Sequence, residues 1–323
     1  MRKIRIFSAA ILAVVALSLS LGWFLLPPHP AANISISDIG KGGVMAMIYA
    51  YGDEKGIFAR YGLNVTFLSF ADAYTSMMAF STKKADVVTS SGVLTATSYA
   101  EGESFKIGMA VGEATENMLI VQPGIDAASD LAGKRIGVMG RVSDSYYQTN
   151  WYLESKGLDM ETDAEVVEIK NPPGLVTSFE NGQLDAVVLW ANFASEALAS
   201  GGKCLVTCSD ALEEVIGHPA YLPLIIIRDD FLAEKERTAK EFFRAVRQVV
   251  IEIGQNPKEA AEIRARFSGE PLEKIEDSMD MMTLVGDMSP EIEDDLLAFW
   301  DYAVQKGCLE SAPGSDVFYD TWR

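Results

Sequence analysis

The chain has 323 residues, 49% of them hydrophobic, enough to bury a substantial core and to fill two domains of ordinary size. Its formal charge of -19 excludes nucleic acid and anionic lipid as partners and gives no long-range steering to an anionic ligand. Two histidines, His29 and His218, and three cysteines without CxxC or zinc-finger spacing exclude a histidine-rich metal site.

At the N-terminus Arg2, Lys3 and Arg5 precede an uncharged stretch from Ile6 to Leu26 and then Pro27-Pro28-His29-Pro30, the pattern of an export signal. Its 21 apolar or small residues could span a hydrocarbon core of roughly 30 Å. Residues 1–32 therefore read as a signal peptide or an uncleaved membrane anchor, and the length leans towards the anchor. The first cysteine is Cys204, so the usual bacterial lipoprotein attachment point is missing. Residues 1–32 carry three positive charges and no acids, which leaves -22 rather than -19 on the remainder.

From Asn33 onward short β-rich runs alternate with helical stretches, the pattern of parallel βαβ units. Strands are predicted at 33–39, 64–70, 85–91, 105–112, 117–122, 135–140, 164–170, 185–190, 203–208 and 221–227. Helices are predicted from Val44 to Phe58, over 73–84, after Ser91-Gly92, and over 143–156, 174–182 and 191–200. An internal echo suggests two similar lobes: STKKADVVTSS enters its strand through Asp86, and FENGQLDAVVLW does the same through Asp185. In open α/β sheets a ligand sits at the carboxyl ends of such strands, so two lobes imply a cleft between them.

The turn in RIGVMGRVSDSYY has the spacing Gly137-x-x-Gly140, which matches neither the dinucleotide fingerprint nor the P-loop. What remains is a helix N-terminus beside hydroxyls and a guanidinium, able to hold a small polar or anionic group. Taken alone, the turn reads rather as Ser143 or Asp144 capping the helix with Arg141 in solvent. Cys204 and Cys208, in a KCLVTC strand, are too far apart for a disulfide unless the segment turns; free buried thiols are expected, with a bond from either to Cys308 left open. After Ile227 long amphipathic helices follow, over 233–254, 257–267 and 289–307. In the first, Phe242, Phe243, Val246, Val249, Val250 and Ile253 share one packing face.

The phrases GIFARYGLNV (56–65), DLAGKRIGV (130–138) and GQLDAVVLW (182–190), in this order after an export signal, resemble solute-binding proteins of ABC importers. The resemblance is to the nitrate/sulfonate/taurine and thiamine-pyrimidine-precursor branch, and it covers nearly the whole chain after Asn33. It implies an α/β, two-lobed type II periplasmic-binding-protein fold with a cleft between the lobes and additional C-terminal helices. Residues 33–118 and 222–323 would form lobe 1 and residues 119–221 lobe 2, with crossings near 117–122 and 221–227.

Carried over from the family, the ligand groups would be Lys41, Gly42 and Gly43 after the first strand, Phe70 and Asp72 (with Ala71 between them) after the second, and Ser90, Ser91 and Gly92 after the third. Lobe 2 would add Arg141, Ser143, Asp144 and Ser145, then Trp190, Asn192 and Phe193. The chain departs from the family phrases at Asn192, where W-x-P-[YF] has proline, and at 140–144, where G-S-S is usual. Asp144 would oppose an anion and Arg141 would favour one, and Ser143 is the residue expected to face the ligand whichever of them does.

The cargo therefore stays open between a sulfonate, taurine or nitrate and a pyrimidine or amine heterocycle gripped by stacking and by Asp72 or Asp144. The fold also hosts enzymes, a thiamine-pyrimidine synthase and a chorismate dehydratase among them. The histidine and cysteine-rich motif of the former are not present in the second-half loops, and His218 reads as a turn residue. The expected role is a monomeric, non-enzymatic, cofactor-free binding protein on the periplasmic or extracellular face, serving an ABC permease by cleft closure, with an enzyme on the same fold or an anchored ligand sensor as alternatives.

Overall fold

The computed structural model describes residues 31–41 and 43–320, and for Ala191 and Asn192 the backbone alone. Gly42 and all but the last two residues of the expected export segment lie outside the described residues. Among the described residues no helix is long and apolar enough to cross a membrane.

The first sheet begins with β1 (Ala32–Ile39) and β2 (Leu63–Phe70), paired in parallel along their whole length. Between them the predicted single helix is two, α1 (Val44–Glu54) and α2 (Ile57–Arg60). They part at Gly56, whose φ of 64° lies in the left-handed region that a residue without Cβ enters at little cost. Next come α3 (Ala73–Ser81), β3 (Val87–Ser90), α4 (Gly92–Ala100) and β4 (Phe105–Glu113). A tight turn, Ala114–Glu116, carries the chain into the second sheet at β5 (Asn117–Val121).

The second sheet continues through β6 (Arg135–Val138), α5 (Asp144–Ser155), α6 (Met160–Asp163), β7 (Glu165–Glu168), α7 (Pro172–Glu180), β8 (Ala186–Trp190), α8 (Ala191–Ala199), β9 (Lys203–Thr207) and α9 (Cys208–Ile216). The chain returns to the first sheet with β10 (Leu224–Arg228), then α10 (Asp229–Gln255), α11 (Pro257–Ser268), α12 (Leu272–Asp280), β11 (Thr283–Asp287) and α13 (Pro290–Gln305). The strand orders are β11-β4-β10-β3-β1-β2 and β7-β6-β8-β5-β9.

Two expectations are corrected here, and one unpredicted strand is added. The sheets are mixed rather than purely parallel, because β10 and β5, each the first strand after a crossing, run antiparallel to their neighbours. KCLVTC is a strand only as far as Thr207; the Thr207 hydroxyl accepts the Asp210 N–H, so Cys208 opens a helix instead. TLVGD, unmarked by alternation, pairs with β4 as the edge strand β11.

The internal echo has a structural counterpart. Asp86 accepts the Ser35 N–H at 2.9 Å and its hydroxyl at 2.8 Å, tacking the start of β3 to β1. Asp185 accepts the Arg135 N–H and Nε–H, both at 2.9 Å, tacking β8 to β6. The two aspartates do the same work at equivalent places in the two sheets.

The helix α10 buries Phe242, Phe243, Val246, Val249, Val250 and Ile253 against the first sheet, as the spacing predicts. Gly108 lies under Phe243, where a Cβ would fall 2.1 Å from the ring. Each such aromatic contributes about 1.5–3 kcal/mol by burial. A second core joins the lobes: Trp151 of α5 packs on Phe299 and Tyr302 of α13, with ring centroids 5.8 and 5.0 Å apart, and Cys208 and Leu212 of α9 join it.

Candidate functional site

The turns after β3 and β6 come together across the two sheets. In RVSDSYY the Ser143 hydroxyl accepts the Tyr146 N–H at 3.3 Å, capping α5 and fixing the first helical residue, Asp144, facing the other lobe. There the Asp144 carboxylate accepts the Gly92 N–H at 2.7 Å and the Val93 N–H at 2.9 Å. These are among the first N–H groups of α4, which have no partner within the helix and sit at the positive end of its dipole. Ser91 caps the same helix, accepting the Leu94 N–H at 3.3 Å.

Burial pushes the Asp144 carboxyl up, and the hydrogen bonds from Val93, Ser91 and Gly92 pull against that rise. The approach depends on glycine: a Cβ at Gly92 would lie 2.7 Å from the Phe299 ring and 3.0 Å from Asp144 Oδ2. The Gly92 carbonyl in turn accepts the Trp300 indole N–H at 2.9 Å, so α13 holds this turn from behind. A void bounded by Gly92, Asp144, Gln148, Tyr221 and Phe299 offers about 10 Å³ to the centre of a water. That is room for one water molecule and not for a solute.

The remaining strand ends of the first lobe present a second carboxylate. Ile34, Ile36 and Asp38 share the buried face of β1, and Asp38 closes that face at the strand's carboxyl end. Its Oδ1 accepts both the Ile39 N–H at 2.8 Å and the Thr89 hydroxyl at 2.5 Å, while the described residues give Oδ2 no hydrogen bond. Burial raises its pKa to about 6, with the Thr89 and Ile39 bonds opposing. Asp38 was not among the sequence candidates, although the period of two in NISISDI marks it.

Of the first-lobe candidates, Gly43 is the N-cap position of α1 and lies beside Asp38: a Cβ there would sit 3.7 Å from Asp38 Oδ2. Lys41 is exposed, its Nζ 5.1 Å from the Phe267 ring centroid. Phe70 ends β2, its carbonyl accepting the Gly40 N–H at 2.9 Å. Asp72 caps α3 through the Thr75 N–H at 2.7 Å. Ser90 is buried, its hydroxyl donating to the Ser91 carbonyl at 3.3 Å.

In the second lobe Arg141 turns away from α4. Its guanidinium reaches Glu161 at 2.9 Å, Glu168 at 3.5 Å and the Val166 carbonyl at 3.3 Å. Of the pair Arg141 and Asp144, it is Asp144 that meets the opposite lobe. Ser145 contributes its carbonyl to the Cys208 thiol, 4.0 Å away. Trp190 is the N-cap position of α8 and meets Phe193 edge-on at 5.8 Å. Gly42 and the Asn192 side chain lie outside the described residues.

Several apolar side chains are exposed: on the first lobe Ile39 at the end of β1 and Tyr74 (73% exposed) and Met78 on α3, on the second Met139 and Val142 (77%) between β6 and α5. The crossings carry their own polar contacts. His218 Nδ1 lies 2.6 Å from Asp295 Oδ1, and the Tyr221 hydroxyl donates to Asp295 Oδ2 at 3.0 Å, tying the return crossing to α13. At the first crossing, burial pushes the Glu116 carboxyl up to about 7 against the pull of Arg264. All three cysteines are free, and burial pushes the Cys208 thiol up to about 12.

A family model described as NMT1/THI5 like matches residues 44–260. The chain belongs to the NMT1/THI5-like family. Among solved structures it is similar to the periplasmic aliphatic sulphonate binding protein SsuA from Escherichia coli, at 14% identity over 87% of this chain and 94% of that one, TM-score 0.73. It is similar to the alkanesulfonate-binding protein SsuA from Xanthomonas axonopodis pv. citri bound to MOPS, at 15% identity over 90% and 99% of the two chains, TM-score 0.71. A DSZB cysteine-to-serine mutant in complex with biphenyl-2-sulfinic acid matches at 15% identity over 88% and 95%, TM-score 0.65. No curated protein sequence matches the chain. The NMT1/THI5-like family and the two-lobed periplasmic-binding fold are thus the ones that the phrases of the sequence pointed to.

Proposed function

We propose that this chain is the extracytoplasmic solute-binding protein of an ABC importer, working as a monomer that captures a small organic solute by closure of its two lobes and delivers it to a membrane permease. The observation that carries this reading is the reach of Asp144 across the cleft to Gly92 and Val93: the strand-end turns of the two sheets already meet in one place, so a solute bound beside them would be held by both lobes. The two solved SsuA proteins, named as sulfonate binders, support a binding role on this fold.

Solute capture is favoured over catalysis by the surroundings of the buried cysteine and of the histidine between the lobes. The Cys208 thiol is buried and pushed up to about 12, the reverse of an activated thiolate. His218 is bound to Asp295 rather than to a serine or cysteine that it could activate. The solute we favour has an apolar or aromatic body, received by the exposed apolar residues that follow the strands, and an N–H donor for Asp38 Oδ2, to which the described residues give no hydrogen bond. Residues 1–32 would export the chain or tether it at the membrane.

The test is a melting-shift screen of pyrimidines, riboflavin, polyamines, taurine, nitrate and sulfonates. A binding protein is stabilised in proportion to the logarithm of ligand concentration above the dissociation constant, without loss of the ligand. Consumption of the stabilising compound would replace this reading with an enzyme.

A further inference from the structure

A helix N-terminus such as that of α4 receives anions readily, and here the chain fills it with its own carboxylate. Asp144 takes two N–H groups that an anionic head group would need, at 2.7 and 2.9 Å, and is itself buried. A second polar group points to the same compartment. Gln148, one turn along α5 and 3% exposed, lines the void with Asp144, and among the described residues its Oε1 has no hydrogen-bond partner. The guanidinium of Arg141 does not offset an added negative charge there, because Glu161 and Glu168 hold it on its own lobe.

We propose that Asp144 is a specificity-determining residue: it supplies from within the chain the anion that α4 receives, and so refuses solutes with a sulfonate or similar anionic head. The inference rests on the solute-binding reading above. An anionic head could reach Gly92 and Val93 only by displacing Asp144, and lobe closure would then set two negative charges side by side in a water-poor site. Like charges so placed weaken association by on the order of a hundredfold or more. With serine in place of Asp144, the same N–H groups would be free, a hydroxyl donor would be added and the repulsion would be gone.

The experiment titrates propane-1-sulfonate and MOPS into wild-type protein and the Asp144→Ser variant, following the backbone amide signals of Gly92 and Val93 by NMR alongside calorimetry. The expected result is no saturable shift of those amides in the wild type at millimolar sulfonate, and saturable binding that moves both amides in Asp144→Ser. Saturable movement of the two amides in the wild type would overturn the proposal. So would a folded Asp144→Ser protein, checked by circular dichroism, that binds sulfonate no better than wild type. Asp144→Asn, which keeps size and removes charge, stands in should the serine variant fail to fold, and the wild-type arm decides without either. Turnover of some other compound by the wild type would defeat the solute-binding reading and leave these arms as they stand.

Discussion

Asp38 gives the most quantitative handle on the site. Its ordinary pKa of 3.8 rises to about 6 in the fold, chiefly because burial strips water from the carboxylate. A carboxyl whose pKa is higher folded than unfolded contributes stability that is fully present below the unfolded pKa and is lost as pH rises through the folded one. Here the loss runs from about pH 4 to about pH 6 and amounts to about 3 kcal/mol, at about 1.4 kcal/mol per unit.

Asp38→Asn removes the charge and keeps the contacts, since both the Ile39 N–H and the Thr89 hydroxyl bond to the same oxygen, Oδ1, which asparagine retains. Urea unfolding followed by tryptophan fluorescence should find the variant more stable than wild type above about pH 6, by up to about 3 kcal/mol. The difference should shrink towards zero near pH 4. Equal pH slopes in the two proteins, or a less stable variant at pH 8, would refute the reasoning. A site that is costly to the fold and relieved by neutralisation is what a solute-facing carboxylate should look like.

At the first crossing, Glu116→Gln should flatten the fall in stability between about pH 4.5 and pH 7, because the carboxyl is raised to about 7 by burial; an unchanged pH profile of urea midpoints would contradict this. Gly92→Ala places a Cβ against Phe299 and Asp144, so it should cost about 1–3 kcal/mol in urea unfolding and expose the Gly92 and Val93 amides to hydrogen exchange. Arg141→Ala breaks half-exposed ion pairs within one lobe, so stability should change by no more than about 1 kcal/mol. Calorimetry should find the affinity for the identified solute unchanged by it; a severe loss would place Arg141 in the site.

The two-lobed layout was legible because its signals are local. Alternation marks the strands, the paired entries through Asp86 and Asp185 mark the repeat, and the spacing of Phe242, Phe243, Val246 and Val249 marks a packing face. The edge strand β11 was not legible, since five residues holding a glycine carry no periodicity and are ordered only by pairing with β4. The turns that follow the strands were legible from the sequence, and the contacts those turns make were not. Whether Arg141 or Asp144 crosses the cleft depends on Glu161 and Glu168, twenty and more residues away, which draw the guanidinium aside. The Ser143 hydroxyl caps α5, a local contact that its place before the helix could suggest, whereas the direction it gives Asp144 was not readable. Asp38 was readable from Ile34 and Ile36, four and two residues earlier, had the period of two been followed to the strand's end.

The central claim, that two lobes close on a solute and release it unaltered, is tested most directly by equilibrium dialysis of the stabilising solute against the protein, with mass spectrometry of the solute afterwards. One molecule bound per chain, saturable and recovered with its mass unchanged, is the predicted result. A changed mass, or no saturable binding, would contradict it.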